Sequence, residues 1–140
     1  MKMGLYLCIF DEYEEELCGL EVGWYDYFSR FRRQVAYLVD QDRFSSDMSI
    51  LLRHVDCDGV WTPQECEKLL GELAEIREVF CTLPPSEEIY EQKAGVFQMY
   101  GIAPRNLNEC FVDPDCECLV DRMISLCRRA VEENQPIVFQ

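Results

Sequence analysis

The sequence predicts an α+β fold in which a mixed or antiparallel sheet of four to five strands is covered by about four helices. Short runs of strand-forming residues open and close the chain, whereas segments with helical apolar spacing fill most of its middle. No internal repeat and no linker divides the 140 residues. We therefore expect a single domain over residues 1–140 with one hydrophobic core.

The predicted strands follow from residue type and alternation. Residues 4–10 are rich in strand formers, and the run 17–22 follows an acidic cluster, so the two predict a hairpin with a solvated acidic loop. In the run 49–55, Ile50 and Leu52 alternate with Leu51 and Arg53, which predicts a further strand. A short strand or extended segment is expected at 109–112, before a turn, and a terminal strand at 136–140.

Apolar residues at three- and four-residue steps predict four helices. They cover residues 26–40, a segment that starts at Thr62 and stops before Pro84, residues 86–100 with Gly101 as terminator, and residues 118–133. The second helix has the clearest apolar stripe, formed by Cys66, Leu69, Leu70, Leu73, Ile76 and Phe80. Its outer face is predicted to carry Glu67, Lys68, Glu72, Glu75, Arg77 and Glu78.

The joint before that helix supports two interpretations. In the first, Thr62 is the N-cap, Pro63 occupies the first helical position and Glu65 completes a capping box, so the segment is a strand-turn-helix joint. In the second, a register that starts at His54 matches a calcium-binding EF-hand loop. The residues that match the loop are Asp56, Asp58, Gly59, Val60, Trp61 and Glu65. The first loop position lacks a carboxylate, and the preceding run reads as a strand, so the calcium loop remains the alternative interpretation.

The charge limits the classes of partner. The chain has 27 acidic and 13 basic residues and a formal net charge of −14. A field of this sign repels phosphate, so nucleic acids and anionic membranes are disfavoured as partners. A cationic protein surface is the natural complement.

Compartment and cysteine chemistry are predicted from the same composition. No run approaches the roughly 20 apolar residues of a membrane span, and the N-terminal apolar run is short and has no cleavage site, so we expect a cytoplasmic protein. Nine cysteines, an odd number, scattered over strand and helix faces predict free thiols. Cys116 and Cys118 lack a second ligand pair, so no zinc site or other cofactor is expected.

Catalytic motifs are weak. His54 lies beside Asp56 and Cys57, but alternation along a strand turns the thiol away from the imidazole. Phosphate-binding glycine loops and nucleophile-elbow glycines are missing from the sequence. We expect a protein that is not an enzyme, with a carboxylate-based hydrolase as an open alternative because two acidic residues can pair in space.

Four segments together resemble the immunity protein 70 family of bacterial polymorphic toxin systems: residues 3–10, 20–23, 56–66 and 136–140. The resemblance spans almost the whole chain, although its motifs are strands and structural joints. One departure is Cys116, where a glycine-containing turn is expected after Asp113. The resemblance implies a cytoplasmic antidote that binds a cognate or neighbouring toxin domain, with a nuclease among the candidates, and blocks it.

Two patches are candidate partner-binding sites, each expected to meet a cationic surface of the toxin. The first is the acidic loop with Asp11, Glu12, Glu14, Glu15 and Glu16, and the second comprises Asp56, Asp58 and Trp61. We expect a monomer or weak dimer. The alternative function is a calcium-responsive binding module that uses the 54–65 loop.

Overall fold

The computed structural model describes residues 4–53 and 59–140 and has the expected α+β fold. Its sheet has four antiparallel strands in the order β2-β1-β4-β3. The strands are β1 (Gly4–Phe10), β2 (Glu16–Trp24), β3 (Val60–Trp61) and β4 (Ile137–Phe139). The predicted hairpin and terminal strand are therefore confirmed, and the terminal strand lies in the middle of the sheet.

Seven helices occur in the described residues, more than the predicted four. They are α1 (Tyr25–Asp40), α2 (Ser49–Arg53), α3 (Pro63–Phe80), α4 (Glu87–Gln92), α5 (Ala94–Tyr100), α6 (Leu107–Cys110) and α7 (Leu119–Glu133). Only α1, α3 and α7 are long, and α3 packs along α7. These three helices have the apolar stripes that the sequence predicts.

The core lies between the sheet and the long helices. Alternate residues of β1, namely Leu5, Leu7 and Ile9, are buried in it, as their period of two requires. Helices α1, α3 and α7 contribute their apolar stripes to the same cluster. The sheet therefore has one face in the core, and its hairpin loop projects from one end of β1 and β2.

The strand predicted at 49–55 is wrong where the structure describes it, because Ser49–Arg53 forms α2. Its first turn is capped by two carboxylates. Asp47 accepts a hydrogen bond from the Ser49 amide at 3.1 Å, and Glu72 accepts from the amides of the next two residues at 3.1 and 3.0 Å. Capping of free amides stabilises a helix where the local sequence alone favours a strand.

The prediction that Glu72 lies on the outer face of α3 is wrong. Glu72 is only 7% exposed, although it was expected on the solvent side. Burial raises the pKa of Glu72, and the two amides that it accepts from oppose that shift. The carboxylate is tolerated inside the protein because the amides satisfy its oxygens.

The segment predicted as one helix over 86–100 is two. The chain breaks at Lys93, whose backbone leaves helical geometry (φ −127°, ψ 20°), and Lys93 Nζ lies 4.6 Å from the centre of the Tyr27 ring. Gly101 ends α5 with φ +66°, as predicted. Part of the segment expected to be extended at 109–112 is instead α6, and the chain becomes extended only after Cys110.

Candidate functional site

The acidic loop between β1 and β2 is held by its first residue. Asp11 Oδ1 accepts hydrogen bonds from the amides of Tyr13 (2.8 Å) and Glu15 (2.9 Å), and the Asp11 amide donates to the Glu15 carbonyl at 2.8 Å. Glu14 adopts a left-handed conformation (φ +65°) and donates its amide to the Asp11 carbonyl. Asp11 is therefore a structural residue of the loop, and its Oδ1 is occupied by these two hydrogen bonds.

The remaining carboxylates of the loop differ in their availability. Glu16 accepts a hydrogen bond from the Tyr6 hydroxyl at 3.1 Å. Burial, and then this contact with Glu16, raise the pKa of Tyr6 above its ordinary value, so the phenol remains a neutral donor. The other three carboxylates are exposed and make no hydrogen bond or ion pair to any described residue: Glu12, Glu14 and Glu15.

An aromatic side chain stands among these charges. Tyr13 is 78% exposed at the tip of the loop, between Glu12 and Glu14. Tyrosine is enriched at the energetic centres of protein interfaces because it buries a large apolar area and retains a hydroxyl that can hydrogen bond. Sequence reasoning selected the acidic residues and missed Tyr13, although an aromatic inside an acidic turn was the available signal.

The second candidate patch is described only in part, because Asp56 and Asp58 lie outside the described residues. Trp61 is in β3 and is 1% exposed. Its ring packs edge-on against Phe139 with centroids 4.6 Å apart, and its indole N–H donates to the Ile50 carbonyl at 3.3 Å. Trp61 therefore presents no surface to a partner in this conformation.

The capping box at the start of α3 is confirmed. The Glu65 amide donates to Thr62 Oγ1 at 3.1 Å, and Glu65 Oε1 accepts from the Thr62 amide at 3.0 Å. Pro63 follows at the first helical position. Glu65 Oε2 also lies 3.9 Å from Arg53, which is at the end of α2.

The calcium interpretation changes in one respect. A helix, α2, precedes the segment where a strand was expected, and a helix precedes the loop in an EF-hand. Val60 forms part of a strand, and Glu65, the twelfth position of the proposed loop, serves the capping box. Asp56 and Asp58, the other proposed ligands, lie in the part of the chain that the structure does not describe.

The family comparison agrees with the resemblance found in the sequence. The model of the family described as immunity protein 70 matches residues 5–139, which is nearly the whole chain. This chain belongs to the immunity protein 70 family. No curated protein and no solved structure matches it, so the assignment rests on the family model. An immunity protein inhibits a toxin, and the expected partner of this family member is therefore a toxin protein.

Seven thiols of this immunity protein 70 family member are free. They are Cys18, Cys66, Cys81, Cys110, Cys116, Cys118 and Cys127. Burial raises the pKa of Cys118 to about 11, and the pKa of Cys127 is raised by its contact with Cys66 and by burial. A catalytic thiol needs a lowered pKa, so these two have the properties of packing residues. The proposed constellation of His54, Asp56 and Cys57 lies outside the described residues.

The described ranges, 4–53 and 59–140, contain no group of three or more His, Cys, Asp or Glu side chains arranged to hold a metal ion. None of their helices combines the length and apolar character needed to cross a membrane. The two buried carboxylates of these ranges, Glu72 and Asp113, each accept hydrogen bonds from backbone amides.

Proposed function

We propose that this protein neutralises the toxin domain of a bacterial polymorphic toxin system by non-covalent binding in the cytoplasm, without catalysis. Membership of the immunity protein 70 family supports this proposal most directly. The toxin surface is proposed to be cationic, as in the nucleic-acid groove of a nuclease, because the chain carries a net charge of −14.

The proposed contact surface is the loop at 11–16. Glu12, Glu14 and Glu15 supply carboxylates that no described residue neutralises, and Tyr13 supplies an exposed aromatic anchor between them. The hydrogen bonds around Asp11 hold the loop in one shape, which reduces the ordering cost of binding. Asp56 and Asp58 remain proposed contacts of the second patch, whereas buried Trp61 is proposed to support β3 from the core.

The test is co-expression with the toxin encoded beside this gene, scored by cell survival and by isolation of a complex. Three charge reversals in the loop, Glu12→Lys, Glu14→Lys and Glu15→Lys, are expected to abolish protection. The matched control reverses Glu67, Glu78 and Glu91, which are exposed on α3 and α4 and make no ion pair or hydrogen bond with a described residue. This control changes the net charge equally and should still protect.

Two outcomes separate the parts of the proposal. Cell death and no complex with the unaltered protein contradict toxin binding for that partner. Protection by the loop variant contradicts the loop as contact surface, while the immunity function stands.

A calcium-responsive module is the second candidate function, favoured by the position of α2 before the 54–65 segment and by α3, which begins near the end of that segment at Pro63. Trp61 fluorescence is a direct signal of calcium binding to this segment, because the Trp61 ring packs on Phe139 in the adjoining strand. Calcium titration followed by Trp61 fluorescence should show a saturable change if the segment binds the ion. A flat titration at millimolar calcium contradicts this candidate.

A further inference from the structure

The edge strand β2 and helix α7 enclose a groove that the toxin-binding proposal does not use. Its volume is about 320 Å³. Its strand wall is formed by residues 18–20, and the charged residues of its helix wall are Arg122, Arg128, Arg129 and Glu132. Three arginines against one glutamate make this lining basic, on a chain whose net charge is −14.

The strand wall has main-chain groups available for pairing. Among the described residues β2 pairs only with β1, so the other edge of β2 is unpaired. The pairing register between β1 and β2 shifts immediately before and immediately after the four pairs formed by residues 18–21 of β2. The regular part of this edge is therefore about four residues long and coincides with the groove. Unpaired edges of this kind accept an additional strand.

The helix wall matches that length. Arg122 and Arg129 are seven residues apart on α7, a rise of roughly 10 Å along a helix. Three steps of an extended chain cover about the same distance. An extended segment of about four residues can therefore run beside β2 while its side chains alternately face α7.

The three arginines differ in how far their charge is already balanced. Arg122 pairs with Asp113 at 3.2 Å, and Arg129 pairs with Glu133 at 3.0 Å. Arg128 is exposed and makes no ion pair with any described residue. An incoming carboxylate is consequently stabilised most by an ion pair with Arg128.

We propose that this groove binds an extended, acidic segment of a partner protein, which adds a strand to the β2 edge and places a carboxylate beside Arg128. Main-chain hydrogen bonds to residues 18–21 provide affinity, and the arginines of α7 select carboxylate side chains. The proposal concerns different residues from those of the acidic loop and does not depend on toxin binding.

The probe is a fluorescein-labelled peptide, Thr-Glu-Val-Asp-Thr, with blocked ends, followed by fluorescence anisotropy. Its lysine analogue, Thr-Lys-Val-Lys-Thr, should not bind. Two further peptides carry N-methyl groups on the odd-numbered or on the even-numbered residues. Only one of these two sets points its amides at β2, so one peptide should lose binding and the other should keep it. These changes are made in the peptide and not in β2, because a side chain added at Gly19 would collide with the Tyr6 hydroxyl.

Arg128→Glu should weaken binding of the acidic peptide about fivefold, as loss of an exposed charge pair predicts. Arg43→Glu is the matched control, because Arg43 is likewise exposed and unpaired among the described residues, and it should leave the affinity unchanged. Both variants should have the unfolding midpoint of the parent. Amide NMR signals of residues 18–21 should shift with the peptide.

Three results would overturn the proposal. One is no binding of the acidic peptide at millimolar concentration. Another is equal binding of both N-methylated peptides, because charge alone would then account for the affinity. The third is an equal effect of the Arg128 and Arg43 variants.

Discussion

Asp11 and Asp113 hold two loops that have the same hydrogen-bond pattern. Each carboxylate accepts hydrogen bonds from the backbone amides two and four residues later. The distances are 2.8 and 2.9 Å for Asp11, and both are 2.9 Å for Asp113. The fourth residue of each loop, Glu14 or Cys116, is left-handed. The two differ in burial, because Asp113 is 2% exposed and pairs with Arg122 at 3.2 Å.

This difference predicts unequal costs for the same substitution. Asp11→Ala should lower the free energy of unfolding by about 1 kcal/mol through the lost amide contacts. Asp113→Ala should lower it by about 3 kcal/mol, because it leaves part-buried amides without their acceptor and also removes the ion pair between the buried Asp113 carboxylate and Arg122. Urea denaturation measures both. Asp→Asn at each position retains an acceptor oxygen and should be milder, and equal costs for the two alanine variants would contradict the assignment.

Glycine should stabilise both loops at their left-handed positions. Glu14 has φ +65° and Cys116 has φ +63°, a conformation that costs a residue with a Cβ about 1 kcal/mol or more. Glu14→Gly and Cys116→Gly should each raise the free energy of unfolding by about 0.5 kcal/mol after the entropy of glycine is counted. The alanine variants retain the strain, so thermal melts in which alanine stabilises as much as glycine would contradict this explanation.

The capping box makes Thr62 a stability determinant. Thr62→Ala removes the acceptor of the Glu65 amide and should cost about 1 kcal/mol. Thr62→Ser retains the oxygen and should cost much less. An unfolding midpoint in denaturant that does not move for Thr62→Ala would show that the cap contributes nothing.

Glu72 should give the protein a specific pH dependence. Burial raises the pKa of Glu72 in the folded state above the ordinary value of 4.5. Its contribution to stability is therefore fully present below that ordinary value and is lost as pH rises through the folded pKa. The stability of the parent relative to Glu72→Gln should consequently increase as pH falls through this window.

Glu109 should give a pH dependence of stability opposite to that of Glu72, so it serves as a control in the same pH series. Hydrogen bonds from Arg105 lower the pKa of Glu109, so its contribution is present above the ordinary value and is lost as pH falls through the folded pKa. Stability curves from chemical denaturation at several pH values, compared with Glu72→Gln and Glu109→Gln, measure both. Parallel curves for the parent and Glu72→Gln would contradict the assignment to Glu72.

The loop at 11–16 should affect the two rate constants of toxin binding differently. The triple reversal at Glu12, Glu14 and Glu15 should slow association and flatten its dependence on salt, because steering acts before contact. Tyr13→Ala should mainly accelerate dissociation, because an anchor acts after docking. Surface plasmon resonance with the purified toxin domain measures both rates. A Tyr13→Ala variant with an unchanged dissociation rate would remove Tyr13 from the interface.

Elements with local signals could be predicted from the sequence. The hairpin at 4–22 has two strand-forming runs on either side of charged turn residues, and the helix after Thr62 has cap, proline and apolar stripe within a few positions. The acidic loop was predicted from the cluster of charged residues between those two runs.

Features that depend on contacts between residues distant in the chain could not be predicted from local signals. Ser49–Arg53 is helical because Glu72 reaches its amides from about twenty residues away, and no local propensity encodes that contact. Trp61 is buried because β4, from the far end of the chain, brings Phe139 against it. The groove beside β2 exists because α7 packs along that strand. Free energies of capping and burial depend on which surfaces meet, and that is determined by the packing of the whole chain.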